Sequence, residues 1–234
     1  MSNDINFEAY LFVSPQKIII SINEKINFKT IYQKEILIGV GLKDINYEKV
    51  DNFLNDNIFL IEKRFQKFVK KISLIIELKA FFTVLVSIKD KNYDELISQR
   101  TLDHLLNEAK SQCQETIYGK KITHMIIDNY LINDKNHQFL TLDKKYNSFS
   151  LDLRFICLSK DIIKNFEQIL SKYQISIDQI VNAEYIKKFF EYEKTDIFNM
   201  ANKIINGCNE NEVKIISKKY QKKGVFERLF HLFS

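Results

Sequence analysis

Ser148-Phe-Ser-Leu-Asp-Leu-Arg-Phe-Ile-Cys-Leu-Ser159 alternates apolar and polar side chains from Phe149 to Phe155. A period of two predicts a strand with one face buried and the other in water. Ser159 can then cap a helix in which Ile162, Ile163, Phe166, Ile169, Leu170 and Tyr173 recur at helical spacing. Upstream, Ile122 to Ile132 has strand composition, and the polar tract Asn133 to Asn147 joins the two strands as a turn or loop. Earlier still, Thr101 can cap a helix that turns Leu102, Leu105, Leu106 and Ala109 inward. Helix, strand, strand, helix makes a small α+β layer, which we assign to residues 91–174.

The segments on either side predict a second unit. Glu8 to Val13, Lys17 to Ile22 and Phe28 to Ile38 are short runs rich in Ile, Phe and Val, separated by Ser14-Pro15-Gln16 and Asn23-Glu24-Lys25. They predict three antiparallel strands joined by tight turns. From Tyr47 to about Ile75 the apolar residues move to helical spacing, predicting one or two helices. Phe81 to Ile88 predicts a fourth strand, too apolar for an exposed edge, and closes the first part of this unit at residues 1–90. After the inserted layer, Ile175 to Val181 predicts a short strand returning to the first unit. Asn182 to Glu193 and Asp196 to Ile205 predict helices, with Gly207 as a stop and Val213 to Ile216 as a last strand. Residues 175–216 thus form the return segment, and 217–234 a basic tail and foot.

In that foot, Val225, Phe226, Leu229, Phe230, Leu232 and Phe233 share one helical face after Lys222, Lys223 and Gly224, while Glu227, Arg228 and His231 share the other. At about 1.5 Å per residue such a helix reaches roughly 15 Å, half of a hydrocarbon core of about 30 Å. It cannot span a bilayer but can lie in the interface, with Lys222, Lys223 and Arg228 toward anionic headgroups. The competing expectation is a terminal helix docked on its own domain.

The chain has 234 residues, 45% of them hydrophobic, with a single proline, Pro15, and five glycines. It can bury a sizeable core and has no proline-rich or glycine-serine linker. The net charge of +5 is spread among 35 basic and 30 acidic residues, so a nucleic-acid-binding face is not expected. Cys113, Cys157 and Cys208 are odd in number and far apart, which predicts reduced thiols in a cytoplasmic protein. The start Met1-Ser2-Asn3-Asp4 predicts no signal peptide.

The order of elements resembles the first half of the bacterial actin-like cell-division protein FtsA, with a ribonuclease-H-like sheet and an inserted FtsA-specific layer. The likeness is carried by Ile122-Thr-His-Met-Ile-Ile-Asp-Asn-Tyr-Leu-Ile-Asn-Asp134, by Phe149 to Ser159, by the helix that follows and by Ile175-Ser-Ile-Asp-Gln-Ile-Val181. It covers about residues 8 to 190, and the foot resembles that family's membrane-targeting helix. Two departures stand out. Actin-like ATPases cradle phosphate on an Asp-Gly-(Ser/Thr) turn between the first two strands; here that turn is Val13-Ser14-Pro15-Gln16, and Pro15 has no N–H to offer. The second, glycine-rich phosphate loop has no counterpart after Val181, where Asn182-Ala183-Glu184 leads into a helix. The family's other half does not fit in the residues left.

No catalytic constellation emerges. Asp128 and Asp152 sit among apolar neighbours as on a solvated strand face, and the histidines His104, His124, His137 and His231 have no metal-ligand spacing. Ser14 and Ser159 fit turn and cap roles. No enzyme activity, metal or cofactor is therefore expected, ATP included. The expected function is a non-enzymatic cell-division adaptor, peripheral on the cytoplasmic side of the inner membrane at the division site, with anionic lipid as one partner. Its protein partners, implied by the resemblance, are divisome proteins, namely FtsZ or a division protein's cytoplasmic tail, together with self-association. Asp128, Tyr130, Ser150, Asp152 and Arg154 are the candidate partner-binding residues, on the alternating strands of the inserted layer. Two alternatives stand beside it: an ATP-binding protein of the actin and sugar-kinase superfamily, and the actin-like adaptor of type IV pilus assembly, which works with a membrane partner's tail.

Overall fold

The computed structural model describes residues 6–39, 41–90, 96–140, 142 and 145–214. In chain order these form β1 (Phe7–Val13), β2 (Lys17–Glu24), β3 (Thr30–Leu37), α1 (Tyr47–Phe65), β4 (Lys71–Ile76), β5 (Phe82–Asp90), α2 (Gln99–Thr116), β6 (Lys120–Ile132), β7 (Lys135–His137), β8 (Phe149–Ser159), α3 (Lys160–Ser171), β9 (Ser176–Asn182), α4 (Ala183–Phe189) and α5 (Ile197–Ile205). A five-stranded sheet has the order β3-β2-β1-β4-β9, antiparallel from β1 to β3 and parallel from β1 through β4 to β9. A second, antiparallel sheet has the order β5-β8-β6-β7. The arrangement is a mixed α/β fold of two sheets and five helices among the described residues, and β9 returns the chain to the first sheet.

β1 shows why the first sheet reads as unbroken apolar runs. Leu11 and Val13 enter a core shared with α1 and α3, while Tyr10 and Phe12 enter another shared with α4 and α5. A strand covered on both faces has no solvent side to make polar. The second sheet is covered on one face by α2, through Leu105, Ala109 and Cys113, so β8 keeps its alternation.

Caps fall where short polar side chains precede apolar stripes. Asn46, Ser159, Asn182 and Asp196 each accept a backbone N–H from the first turn of α1, α3, α4 and α5. α2 is capped by Ser98, whose hydroxyl accepts the Thr101 N–H at 3.1 Å, and not by Thr101 as expected.

Other expectations fail for identifiable reasons. The helical stripe does not run to Ile75: α1 ends at Phe65, Gln66 turns into the left-handed region at φ 50°, and Lys71–Ile76 is the strand β4. A run as short as Ile72-Ser73-Leu74-Ile75-Ile76 cannot be sorted into helix or strand by spacing alone. Phe81 to Ile88 is not a buried strand of the first unit either. It is β5, an edge of the second sheet, and Leu85 on its solvent side is 73% exposed. Leu85 hid the alternation that Thr83, Ser87 and Lys89 show. The inserted layer thus begins with β5, before residue 91. The expected loop Asn133 to Asn147 contains the short strand β7. Of the expected last strand, Val213 donates its N–H to the Met125 carbonyl at 2.8 Å on the edge of β6. The foot, Lys222 to Phe233, lies outside the described residues.

Candidate functional site

The carboxyl ends of parallel strands are where open α/β sheets place ligands. Here they carry a depression of about 850 Å³ walled by the β1–β2 turn, residues 42–44, residues 77–80 and α4. The turn has used up its donors. Ser14 is buried, and its hydroxyl accepts the N–H groups of Gln16 at 3.3 Å and Lys17 at 3.1 Å. Ser14 N–H donates to the Lys17 carbonyl at 3.0 Å, and Pro15 has no N–H. The walls mix Lys43, Lys79 and Lys187 with Asp44, Glu77 and Glu184, and Lys187 is paired with Glu77. A polyphosphate would meet as many carboxylates as ammonium groups there.

A second concavity, about 680 Å³, separates the two sheets. One wall is β9, the edge of the first sheet; the other is residues 121–124 of β6, and residues 204–214 close one side. Ile122, Ile177, Ile180 and Ile204 make its lining partly apolar, with Lys121, Asp178 and Lys214 among its charges.

A buried polar joint closes the far end of this cleft. His124, only 3% exposed in the middle of an apolar strand, accepts the Asn182 N–H on Nε2 at 3.0 Å. That bond places the ring proton on Nδ1, which donates to Glu212 Oε1 at 2.7 Å. Tyr185 donates its hydroxyl to Glu212 Oε2 at 2.8 Å and accepts from Asn209 Nδ2 at 2.8 Å. Burial, reinforced by the Glu212 charge, raises the Tyr185 phenol far above the usual tyrosine range. With both ring nitrogens engaged, His124 has no lone pair for a metal or for proton abstraction. It joins β6 to the start of α4 and to residues 209–213. Asn211–Val213 in turn lies along β6, with Ile127 N–H donating to the Asn211 carbonyl at 2.9 Å. No group of three or more His, Cys, Asp and Glu side chains among the described residues could hold a metal ion.

The expected partner-binding residues fall on two faces of the second sheet. Ser150, Asp152 and Arg154 share its outer face; Asp152 accepts from Ser87 Oγ at 2.8 Å and Asn129 Nδ2 at 3.2 Å, and Arg154 pairs with Asp128 at 2.5 Å. Tyr130 does not join them. A register shift between Ile127 and Asn129 turns it into the core under α2, where it is 6% exposed. The joint of His124, Tyr185 and Glu212 had one sequence signal, an ionisable ring inside the apolar run Ile122–Ile127; nothing in the spacing linked it to positions 182 and 212.

No protein-family model matches the chain, and neither does any curated protein. Solved structures do. The "PilM-PilN type IV pilus biogenesis complex" aligns over 78% of this chain and 49% of that one, at 6% identity and a TM-score of 0.43. The cytoplasmic domain of EpsL, an inner-membrane component of the type II secretion system of Vibrio cholerae, aligns over 77% and 57%, at 8% identity and 0.36. A Bacteroides thetaiotaomicron protein with an actin-like ATPase fold and unknown function aligns over 82% and 58%, at 13% identity and 0.36. The chain spans about half to three-fifths of the length of these structures.

Proposed function

We propose that the chain is a non-enzymatic actin-like adaptor that takes an extended segment of a partner protein into the cleft, as an added strand on the edge of β9. The observation that carries this reading is the cleft itself: the edge of β9, which no other strand among the described residues pairs on that side, beside a partly apolar trough facing β6. Main-chain hydrogen bonds to such an edge supply affinity, and alternate side chains supply specificity. The spent donors of the Ser14 turn support the non-enzymatic part and the absence of an ATP cofactor. A tail-binding cleft favours the pilus-assembly kind of adaptor, which works with a membrane partner's tail, over a division adaptor. The division reading, with FtsZ or a divisome tail as partner, rests on the resemblance in residues 8 to 190 and on the foot, which lies outside the described residues. Among the described residues no helix is long and apolar enough to cross a membrane.

The test has two arms. Peptides from the cytoplasmic tails of membrane proteins encoded nearby are titrated into the full chain while amide exchange is followed; protection centred on Ile177–Asn182 and residues 121–124 is the expected result. Protection confined to other strands, such as β3, overturns the cleft assignment. Calorimetry with Mg-ATP covers the second arm, and micromolar binding overturns the nucleotide-free reading.

A further inference from the structure

The end of the five-stranded sheet opposite the Ser14 turn gathers lysines and bare apolar tips that neither the cleft nor the turn uses. Two loops meet there, Lys25–Lys29 between β2 and β3 and Gln66–Lys70 between α1 and β4. The start of β1 fixes both: Lys25 N–H donates to the Asn6 carbonyl at 2.9 Å, and Lys67 Nζ stands 5.8 Å from the centre of the Phe7 ring. At the loop tips Ile26 is 91% exposed and Phe68 73%. Lys25, Lys29, Lys70 and Lys71 are exposed around them. Of the nearby carboxylates, Glu62 accepts the Val69 N–H at 3.0 Å and Asp178 pairs with Lys71 at 2.8 Å, while Glu24 stands beside Lys25 at the end of β2. The same character continues along the outer face of α1, where Phe59 and Leu60 are 68% and 54% exposed, one turn before Lys63 and Arg64.

Exposed apolar groups framed by an excess of one sign of charge mark a contact surface, and here five lysines, Lys25, Lys29, Lys67, Lys70 and Lys71, outnumber Glu24, Glu62 and Asp178. The shape chooses the occupant. An acidic peptide could satisfy the lysines, but it needs a groove to cover Ile26 and Phe68, and these stand on two separate projecting loops. A bilayer accepts a convex end: apolar tips enter the headgroup boundary while lysines stay at phosphate level. We infer that this end of the sheet docks on an anionic lipid surface, with Ile26 and Phe68 inserted and Lys25, Lys29 and Lys70 on the headgroups. The cleft takes no part in this contact.

The sequence contains no tryptophan, so Phe68→Trp makes a sole reporter at the tip. Its emission should shift to the blue on vesicles of phosphatidylserine and phosphatidylcholine, and stay unchanged with phosphatidylcholine alone or with soluble polyglutamate. Lys25→Gln with Lys70→Gln should weaken partition onto the anionic vesicles about 25-fold at low salt, at about fivefold per lysine. Three results overturn the inference: no co-sedimentation with anionic vesicles; co-sedimentation with unshifted tryptophan emission, which means attachment elsewhere on the chain; and an equal shift with polyglutamate, which means an acidic protein partner. Unchanged partition of the double variant overturns the role of the lysines.

Discussion

His124→Phe keeps a flat ring of similar size and removes both ring nitrogens, so it isolates what the polar joint contributes. The Asn182 N–H, on a residue 4% exposed, loses the ring nitrogen that accepts it. Glu212, 14% exposed in its side chain, loses the His124 donor and keeps Tyr185. A buried donor left without an acceptor costs about 1–3 kcal/mol, and the weakened carboxylate adds about 1 kcal/mol, giving about 2–4 kcal/mol in all. At roughly 2–4 °C per kcal/mol for a chain of this size, the melting temperature should fall by about 5–15 °C. Thermal melts followed by circular dichroism check this, with His124→Gln as the companion because its amide can both accept and donate. Gln should recover part of the loss. A His124→Phe melt within about 1 °C of wild type, or a Gln variant no better than Phe, refutes the reasoning and makes the ring a packing element only.

Other outcomes follow from single contacts. Lys172, and then Tyr173, hold the Asp51 carboxyl below the usual carboxylate range. Asp51→Asn should cost about 0.5–1 kcal/mol at neutral pH. The stabilisation is complete above the unfolded value of about 3.9 and disappears as pH falls through the lower folded value, so urea midpoints of the two proteins should converge in acid. The Tyr173 phenol is pushed up to about 12 by burial and Asp51, so stability should also fall as pH rises from about 10 toward that value. Of the three cysteines, Cys208 is exposed while Cys113 and Cys157 are buried, with burial raising both thiols, Cys157 to about 12. A disulfide reagent should therefore titrate Cys208 at once and the other two only on unfolding; three fast thiols contradict this. Gly207→Ala should cost about 1–2 kcal/mol in urea unfolding, because Gly207 has φ 87° and its added Cβ would meet only the end of Lys214 at 3.5 Å.

The strands and caps that local chemistry decides were legible in the sequence. β8, with polar Ser150, Asp152 and Arg154 between buried Leu and Phe, could hardly be anything else, and Ser159 marked the helix after it. β4 was not legible, because Ile72-Ser73-Leu74-Ile75-Ile76 follows a helix without a proline or glycine to separate them; Gln66 makes the break through an unfavoured left-handed conformation that no sequence rule flags. β5 was assigned to the wrong sheet because pairing partners are set by long-range packing, and one exposed leucine was enough to disguise an edge. The cleft was hidden for the same reason. Its walls are known only once β9 is seen at the end of one sheet and β6 in the other, and Glu212 reaches His124 across 88 residues of chain.

The joint and the cleft belong together physically. β9 contributes its edge to the cleft and its last residue, Asn182, to the bond with His124. β6 contributes residues 121–124 to the cleft, and its following residues 125–127 to the ladder with Asn211–Val213. Glu212 lines the cleft with its neighbours Val213 and Lys214, and is held by His124 and Tyr185 at once. A segment seated against β9 therefore meets Glu212, Val213 and Lys214, and its occupancy and the docking of residues 209–214 share one set of contacts. If the two stabilise each other, His124→Phe lowers affinity for the partner peptide as well as the melting temperature; if they compete, the same substitution raises affinity, because the loosened stretch vacates its side of the trough. The sign of that one change, measured with the peptide that protects β9, distinguishes a cleft completed by residues 209–214 from one that they guard.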